Sequence, residues 1–285
     1  MSNKEYILRG VCPDALGLVA KVSNFLNENN LFIKESAHYG DPETNKFFMR
    51  IKVVSPNEEI KKDEFDNKFS DLAGEISMEW SFEDAILNPN TSIFVSKYSH
   101  CLQDLLYRHS VNALKLDIKS IISNHPDLEK IASDYEIPFY HIEVTKDDKQ
   151  NAETQIIDIL KKDKVELVIL ARYMQILSTN FCEEYFGKII NIHHSFLPSF
   201  KGAKPYHQAY SKGVKILGAT AHYVTSDLDE GPIIEQTVDR IDHTKSPDDM
   251  EIIGRDIESI TLAKAVQYHS EQRVFLNNNK TVIFK

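Results

Sequence analysis

Glycine is scarce in this 285-residue chain, at 10 residues, about half the usual share. None lies between Gly74 and Gly187. A strand-to-helix turn in that stretch therefore has no glycine-rich loop with which to wrap a phosphate, which excludes a dinucleotide fingerprint and a P-loop there. Cysteine is rare too: Cys12, Cys101 and Cys182 are far apart and odd in number. They make neither a disulfide framework nor a zinc signature, and they fit a reducing compartment. Positive charge is in deficit, with 33 Lys and Arg against 43 Asp and Glu for a net -10, so neither nucleic acid nor an anionic membrane is expected as a partner. The longest apolar run, around Val165–Leu170, is far below the ~20 residues a membrane helix needs. No basic stretch followed by an apolar one opens the chain, so a cytoplasmic protein without a secretory leader is expected.

What is present is an ordinary globular composition, 42% apolar and 27% charged, at a length that predicts two domains. The hydrophobic pattern alternates between strand and helix periods over Tyr6–Val11, Ala15–Asn29, Leu31–Tyr39, Lys46–Val54, Asn57–Ala73 and Ile76–Phe82. That is the β-α-β-β-α-β order of a ferredoxin-like unit. Pro13-Asp14 reads as the entry and cap of the first helix, and Pro56 as the opening of a charged segment, Asn57–Ala73, that carries the second helical face. Asn88-Pro89-Asn90-Thr91 marks the boundary, which predicts domains at 1–86 and 87–285. Beyond it strands and helices alternate, the arithmetic of an open, mostly parallel α/β sheet. Gly218–Thr225 and Gly231–Val238 read as a later antiparallel pair, Met250–Arg273 as a long amphipathic helix, and Thr281–Phe284 as a last short strand.

Chemistry concentrates in Asn191-Ile192-His193-His194-Ser195-Phe196-Leu197-Pro198. Side chains two apart on a strand share a face, so Asn191 and His193 stand together where an open sheet binds ligands. An amide and an imidazole aimed at one point make a side-chain oxyanion hole; equally, the two residues read as the cap of a strand. The segment His222–Pro232 carries three acids, Asp227, Asp229 and Glu230, between two apolar strands. It reads either as a solvated hairpin turn or as the source of one buried acid that makes His193 cationic. Asn, His and Asp together polarise a carbonyl, hold an oxyanion and relay a proton without a covalent nucleophile. Zinc on His193, His194 and an acid is disfavoured, because adjacent strand residues face opposite ways.

Asn191–Gly202 resembles the signature of the folate-dependent formyltransferase family, and Asp227–Ile234 resembles that family's acid motif. Leu170–Ser178 is similar to its folate-binding loop. Pro13-Asp14-Ala15-Leu16-Gly17 between the first strand and helix resembles an ACT domain. The resemblance implies an ACT domain followed by a Rossmann-like formyltransferase domain. It also implies that Asn191 and His193 bind a formyl oxygen while Asp229 positions water, holds His193 charged and aids proton transfer to the folate nitrogen. Met174, Gln175, Ile176, Leu177, Thr225, Ser226 and Asp227 would hold the pterin, and His222 would support the loop. The implied substrate is 10-formyltetrahydrofolate, with no separate cofactor and no metal.

The acceptor is a further question. In the purine-synthesis transformylase of this family, a glycine- and serine-rich turn after the first strand holds the phosphate of the amine. Here the turn reads Ser96-Lys97-Tyr98-Ser99-His100-Cys101, where side chains keep backbone amides off a phosphate. Water is therefore the expected acceptor, giving formate and tetrahydrofolate. The alternatives are transfer to an amine and a non-catalytic folate or amino-acid sensor. The ACT resemblance implies a homo-oligomer and an amino-acid effector held by Asp14, Leu16 and Gly17 at a helix N-terminus; a plain dimerisation module is the other reading.

Overall fold

The structure, a computed structural model, describes residues 4–55, 60–145, 147–197 and 205–285. Its contacts divide the chain into two units, one of Met1–Leu87, Glu271–Asn277 and Val282–Lys285, the other of Asn88–Ser270 and Asn278–Thr281.

The first unit runs β1 (Glu5–Pro13), α1 (Leu18–Glu28), β2 (Phe32–Asp41), β3 (Lys46–Val54), α2 (Lys62–Glu75) and β4 (Glu79–Asp84). The antiparallel sheet has the order β2-β3-β1-β4. Leu18, Val22 and Leu26 of α1 and Phe65, Phe69 and Ala73 of α2 are spaced four apart, so each set lies on one helix face and is buried. They enclose a core with Leu8, Met49, Ile51 and Phe82 of the sheet. Two details differ from expectation. Pro13 ends β1 rather than opening a helix, and α1 begins only at Leu18, behind Gly17 at φ 84 and with no side-chain cap. A left-handed turn there suits glycine because a Cβ would be strained. Asp14 instead donates its backbone N–H to the Asn45 carbonyl at 2.9 Å. Pro56 and Asn57 lie outside the described residues.

The second unit contains β5 (Asn90–Val95), α3 (His100–Ser110), β6 (Asp117–Ser123), α4 (Glu129–Asp134), β7 (Phe139–His141), α5 (Lys149–Lys162) and β8 (Leu167–Leu170). It continues with α6 (Thr179–Glu184), β9 (Ile189–His193), α7 (Pro205–Lys212), β10 (Ile216–Tyr223), β11 (Ile233–Arg240) and α8 (Pro247–Ser270). The sheet order is β11-β10-β9-β8-β5-β6-β7. Strands β9 to β7 are parallel, and β10 is antiparallel to both of its neighbours. All four residues of β8 are buried, as a strand covered on both faces requires. The chain builds β6 and β7 on one side of β5, then returns to place β8 on the other. The carboxyl ends of β5 and β8 therefore form a topological switch point, where open α/β sheets bind ligands. Among the described residues, no helix is long and apolar enough to cross a membrane.

The end of the chain corrects the expected boundary. Everything past residue 87 is expected in the second domain, yet 271–277 and 282–285 group with the first unit. Polar groups of the first sheet explain the return. Arg50, nearly buried, donates to the Glu271 carbonyl at 3.0 and 3.3 Å. Asn277 donates to Asp41 at 2.7 Å, and the Arg9 guanidinium lies 4.3 Å from the centre of the Phe275 ring. Replacing Arg50 by Met keeps the bulk and removes the donors. The variant is expected to lose ~1–3 kcal/mol in urea unfolding, the usual cost of leaving a buried polar group unpaired; an unchanged midpoint would refute this role for Arg50.

Candidate active site

Strand β9 delivers the first two side chains. Asn191 and His193 are half-buried on one face, while Ile190 and Ile192 are buried. The antiparallel register sets His222 of β10 opposite Asn191, and their side chains meet: Asn191 Nδ2 lies 3.2 Å from His222 Nε2. One arrangement of protons satisfies both hydrogen bonds of His222. Its Nδ1–H donates to the Tyr223 carbonyl at 2.8 Å, which leaves the Nε2 lone pair to accept from the Asn191 amide. Burial lowers the pKa of His222 and favours this neutral form. The Asn191 carboxamide is thereby held in one orientation, with its second N–H free of His222.

Asp229 arrives from the loop after β10. His193 Nδ1 lies 3.2 Å from Asp229 Oδ1, and His222 Nε2 lies 3.9 Å from the same oxygen. The hydrogen bond from His193 holds the Asp229 carboxyl below its ordinary pKa in spite of burial. Two backbone features aim it. Asp229 sits at φ 59, a left-handed conformation that aspartate tolerates better than most residues. Gly231 then passes so close to β10 that a Cβ there would lie 1.7 Å from the Tyr223 carbonyl oxygen. Of the three acids in this loop, Asp229 is half-buried while Asp227 and Glu230 are exposed.

A cavity of 260 Å³ opens over these groups. Met174, Gln175, Ile176 and Leu177 line one side, Thr225, Ser226 and Asp227 the other, and Asn191, His193, His222 and Asp229 are also on its wall. Exposed Met174, Ile176 and Leu228 make its rim apolar, suited to a flat ring system. The loop after β8 is pinned twice. The buried Ser96 hydroxyl accepts from the Met174 N–H at 2.9 Å and donates to Asn124 at 2.6 Å, and Glu153 accepts from the Ser178 N–H at 2.8 Å. Residues 198–202 of the Asn191–Gly202 motif lie outside the described residues.

Several residues here stand at the site in ways the sequence did not indicate. His194 also lines the cavity, its ring centroid 5.0 Å from that of His193. The expected alternation of faces fails because β9 ends at His193, and the chain bends at His194. Thr220, fully buried, fixes that bend by accepting from the Leu197 N–H and donating to the Ser195 carbonyl. Beneath Arg172, buried Glu258 of α8 accepts from His100 at 2.7 Å and from Tyr206 at 2.9 Å, with Arg172 Nε at 3.4 Å. Burial would raise the pKa of Glu258, but His100, Arg172 and Tyr206 together hold it below the ordinary value. His100, Cys101 and Glu258 bring three potential metal-binding atoms within 4.8 Å. That donor set suits a metal poorly: burial pushes the Cys101 thiol pKa far up, and cationic Arg172 adjoins the carboxylate.

The profile of the formyl transferase family matches residues 90–266, which span the sheet and every side chain named around the cavity. The chain belongs to the formyl transferase family. Relatives extend this likeness to the first unit as well. The chain is 44% identical over 280 residues to the formyltetrahydrofolate deformylase of Corynebacterium sp. (strain P-1), covering 98% of each chain. It is 43% identical over 274 residues to the Bacillus subtilis (strain 168) protein of the same name, covering 96% of this chain and 91% of that one. The crystal structure of formyltetrahydrofolate deformylase from Burkholderia mallei ATCC 23344 matches with a TM-score of 0.95 at 45% identity, covering 99% of this chain and 100% of that chain.

Gly231→Ala tests how tightly Asp229 is aimed. The new methyl has no room beside Tyr223, so the loop must shift; a displacement of ~1 Å at a catalytic group costs on the order of 10²-fold in rate. Turnover should fall by about that factor while the circular dichroism spectrum stays unchanged, and wild-type turnover would show that the loop adapts.

Proposed function

We propose that the chain hydrolyses 10-formyltetrahydrofolate to formate and tetrahydrofolate, with Asn191, His193 and Asp229 as its catalytic side chains. The observation that carries this reading is the 3.2 Å pairing of His193 with Asp229 beside an oriented Asn191 amide, on the wall of one cavity. The formyl oxygen is received by the free Asn191 N–H and by His193. As water adds to the carbon, the carbonyl electron pair moves onto that oxygen, and the His193 ring, held at Nδ1 by the Asp229 carboxylate, presents its other nitrogen to the new charge. The C–N10 bond then breaks, the folate nitrogen takes up a proton, and formate leaves. The pterin lies between Met174–Leu177 and Thr225–Asp227.

The turn after β5 supports water over an amine as acceptor. His100 is bound to Glu258, and the guanidinium groups of Arg172 and Arg255 lie 5.2 and 5.7 Å from the Tyr98 ring centre. Backbone amides behind such side chains make a poor phosphate cradle. No separate cofactor takes part in this reading. Three buried, unpaired cysteines support a reducing, cytoplasmic setting. The first unit is read as a regulatory ACT domain: its Asp14–Gly17 loop is exposed, and Phe32 and Tyr39 are exposed on edge strand β2. These features suit an even-numbered homo-oligomer with an amino-acid effector.

Supplied with 10-formyltetrahydrofolate alone, the protein should release tetrahydrofolate and formate in equal amounts at steady state. Turnover that starts only when an amine is added would make it a transferase. Asp229→Asn is expected to abolish turnover while folate binding, measured by calorimetry, persists; a fully active variant would remove Asp229 from the chemistry. A strong chelator should leave the rate unchanged, and inhibition reversed by added zinc would bring back a metal mechanism.

A further inference from the structure

One polar group on the cavity wall has no task in the chemistry above. His194 lines the cavity beside His193, yet its ring nitrogens have no hydrogen-bond partner among the described residues. Its neighbours are committed. Asn191 is tied to His222, His222 to Tyr223, and His193 to Asp229 through Oδ1. Asp229 Oδ2 has no partner among the described residues, so this carboxylate oxygen and the His194 lone pair are open acceptors at the catalytic end of the cavity, beside the side-chain oxygen of Asn191. A water molecule has two hydrogens to give.

We infer that His194 is a further catalytic residue, which holds the hydrolytic water together with Asp229. This rests on the hydrolytic reading above. The water donates one hydrogen to Asp229 Oδ2 and the other to a ring nitrogen of His194, which leaves an oxygen lone pair to face the formyl carbon. When the oxygen–carbon bond forms, the carbonyl π pair passes to the oxygen held by Asn191 and His193, and one water proton passes to Asp229. That proton goes to N10 as the carbon–nitrogen bond breaks, giving tetrahydrofolate and formic acid, which loses the second water proton to solvent as formate; His194 stays neutral throughout. The role requires a lone pair, because an imidazolium has only N–H donors and would turn the water's oxygen toward itself. The surroundings of His194 supply that condition. Burial, with the charges of Arg172 and His193, outweighs Glu258 and Asp229 and lowers its pKa to about 4.

The test compares wild type with His194→Ala, His194→Asn and His194→Gly on 10-formyltetrahydrofolate without an amine. His194→Ala should lower kcat by ~10²-fold, the scale of a lost positioning or proton-accepting group, while KM changes less than twofold. His194→Asn, which keeps a side-chain acceptor, should retain part of the rate and decides the matter if the alanine variant fails to fold. Imidazole added to His194→Gly should restore activity in proportion to its concentration, a response that a purely structural role would not produce. A wild-type enzyme inert without an amine overturns both this inference and the hydrolytic reading. Active wild type with equally fast His194→Ala and His194→Asn, or a loss confined to KM, overturns the role of His194 alone.

Discussion

The proposed chemistry depends on one contact, the 3.2 Å approach of His193 Nδ1 to Asp229 Oδ1, and much of the second unit holds its two ends still. His193 is the last residue of β9 and Asp229 belongs to the loop that joins β10 to β11. They meet because β10 lies beside β9 in the sheet and because the loop returns tightly over β10 at Gly231. The left-handed backbone at Asp229 aims the carboxylate inward while its acidic neighbours face solvent. Strain of this kind persists only where surrounding structure imposes it, and the Tyr223 N–H bond to the Pro232 carbonyl at 2.9 Å is part of that surrounding structure.

A second constraint is the support of a mostly apolar wall by buried polar groups. The 172–178 loop meets a buried hydroxyl at Met174, a buried carboxylate at Ser178, and a buried Glu258 near Arg172. Taking such groups out of water costs several kcal/mol each unless their bonds are made. Here Glu258 has bonds from His100 and Tyr206 and the charge of Arg172 nearby. A buried carboxylate satisfied in this way favours one arrangement of the loop, because another would leave that charge without partners. The apolar rim of the cavity can therefore stay exposed without collapsing inward.

Much of the fold was legible because its elements bury one face at a regular period. Leu18, Val22 and Leu26, or the unbroken apolar β8, announce their type in a single line of residues. The terminal segment was not legible, since nothing in Glu271–Asn277 says that Arg50, over two hundred positions earlier, will take its carbonyl. Nor was the start of α1, where Pro13-Asp14 has the composition of a cap but the backbone turns at Gly17 instead. In the site, the spacing of Asn191 and His193 implied a shared face, and the strand supplies it. The same alternation applied to His194 misled, because a strand one residue shorter frees the next side chain from the pattern.

The amino-acid order alone determined the two-part organisation, the strand and helix types, and the residue types available for acyl chemistry, because each follows from local period and composition. The motif resemblance pointed to Asp229 among three neighbouring acids, but tertiary structure alone showed that it meets an imidazole, how His222 orients Asn191, and where Glu258 and the chain terminus find their partners. Those outcomes depend on strand order, on a close backbone passage at one glycine, and on burial. Each of these arises only when distant segments are brought together, and none has a periodic trace in the sequence.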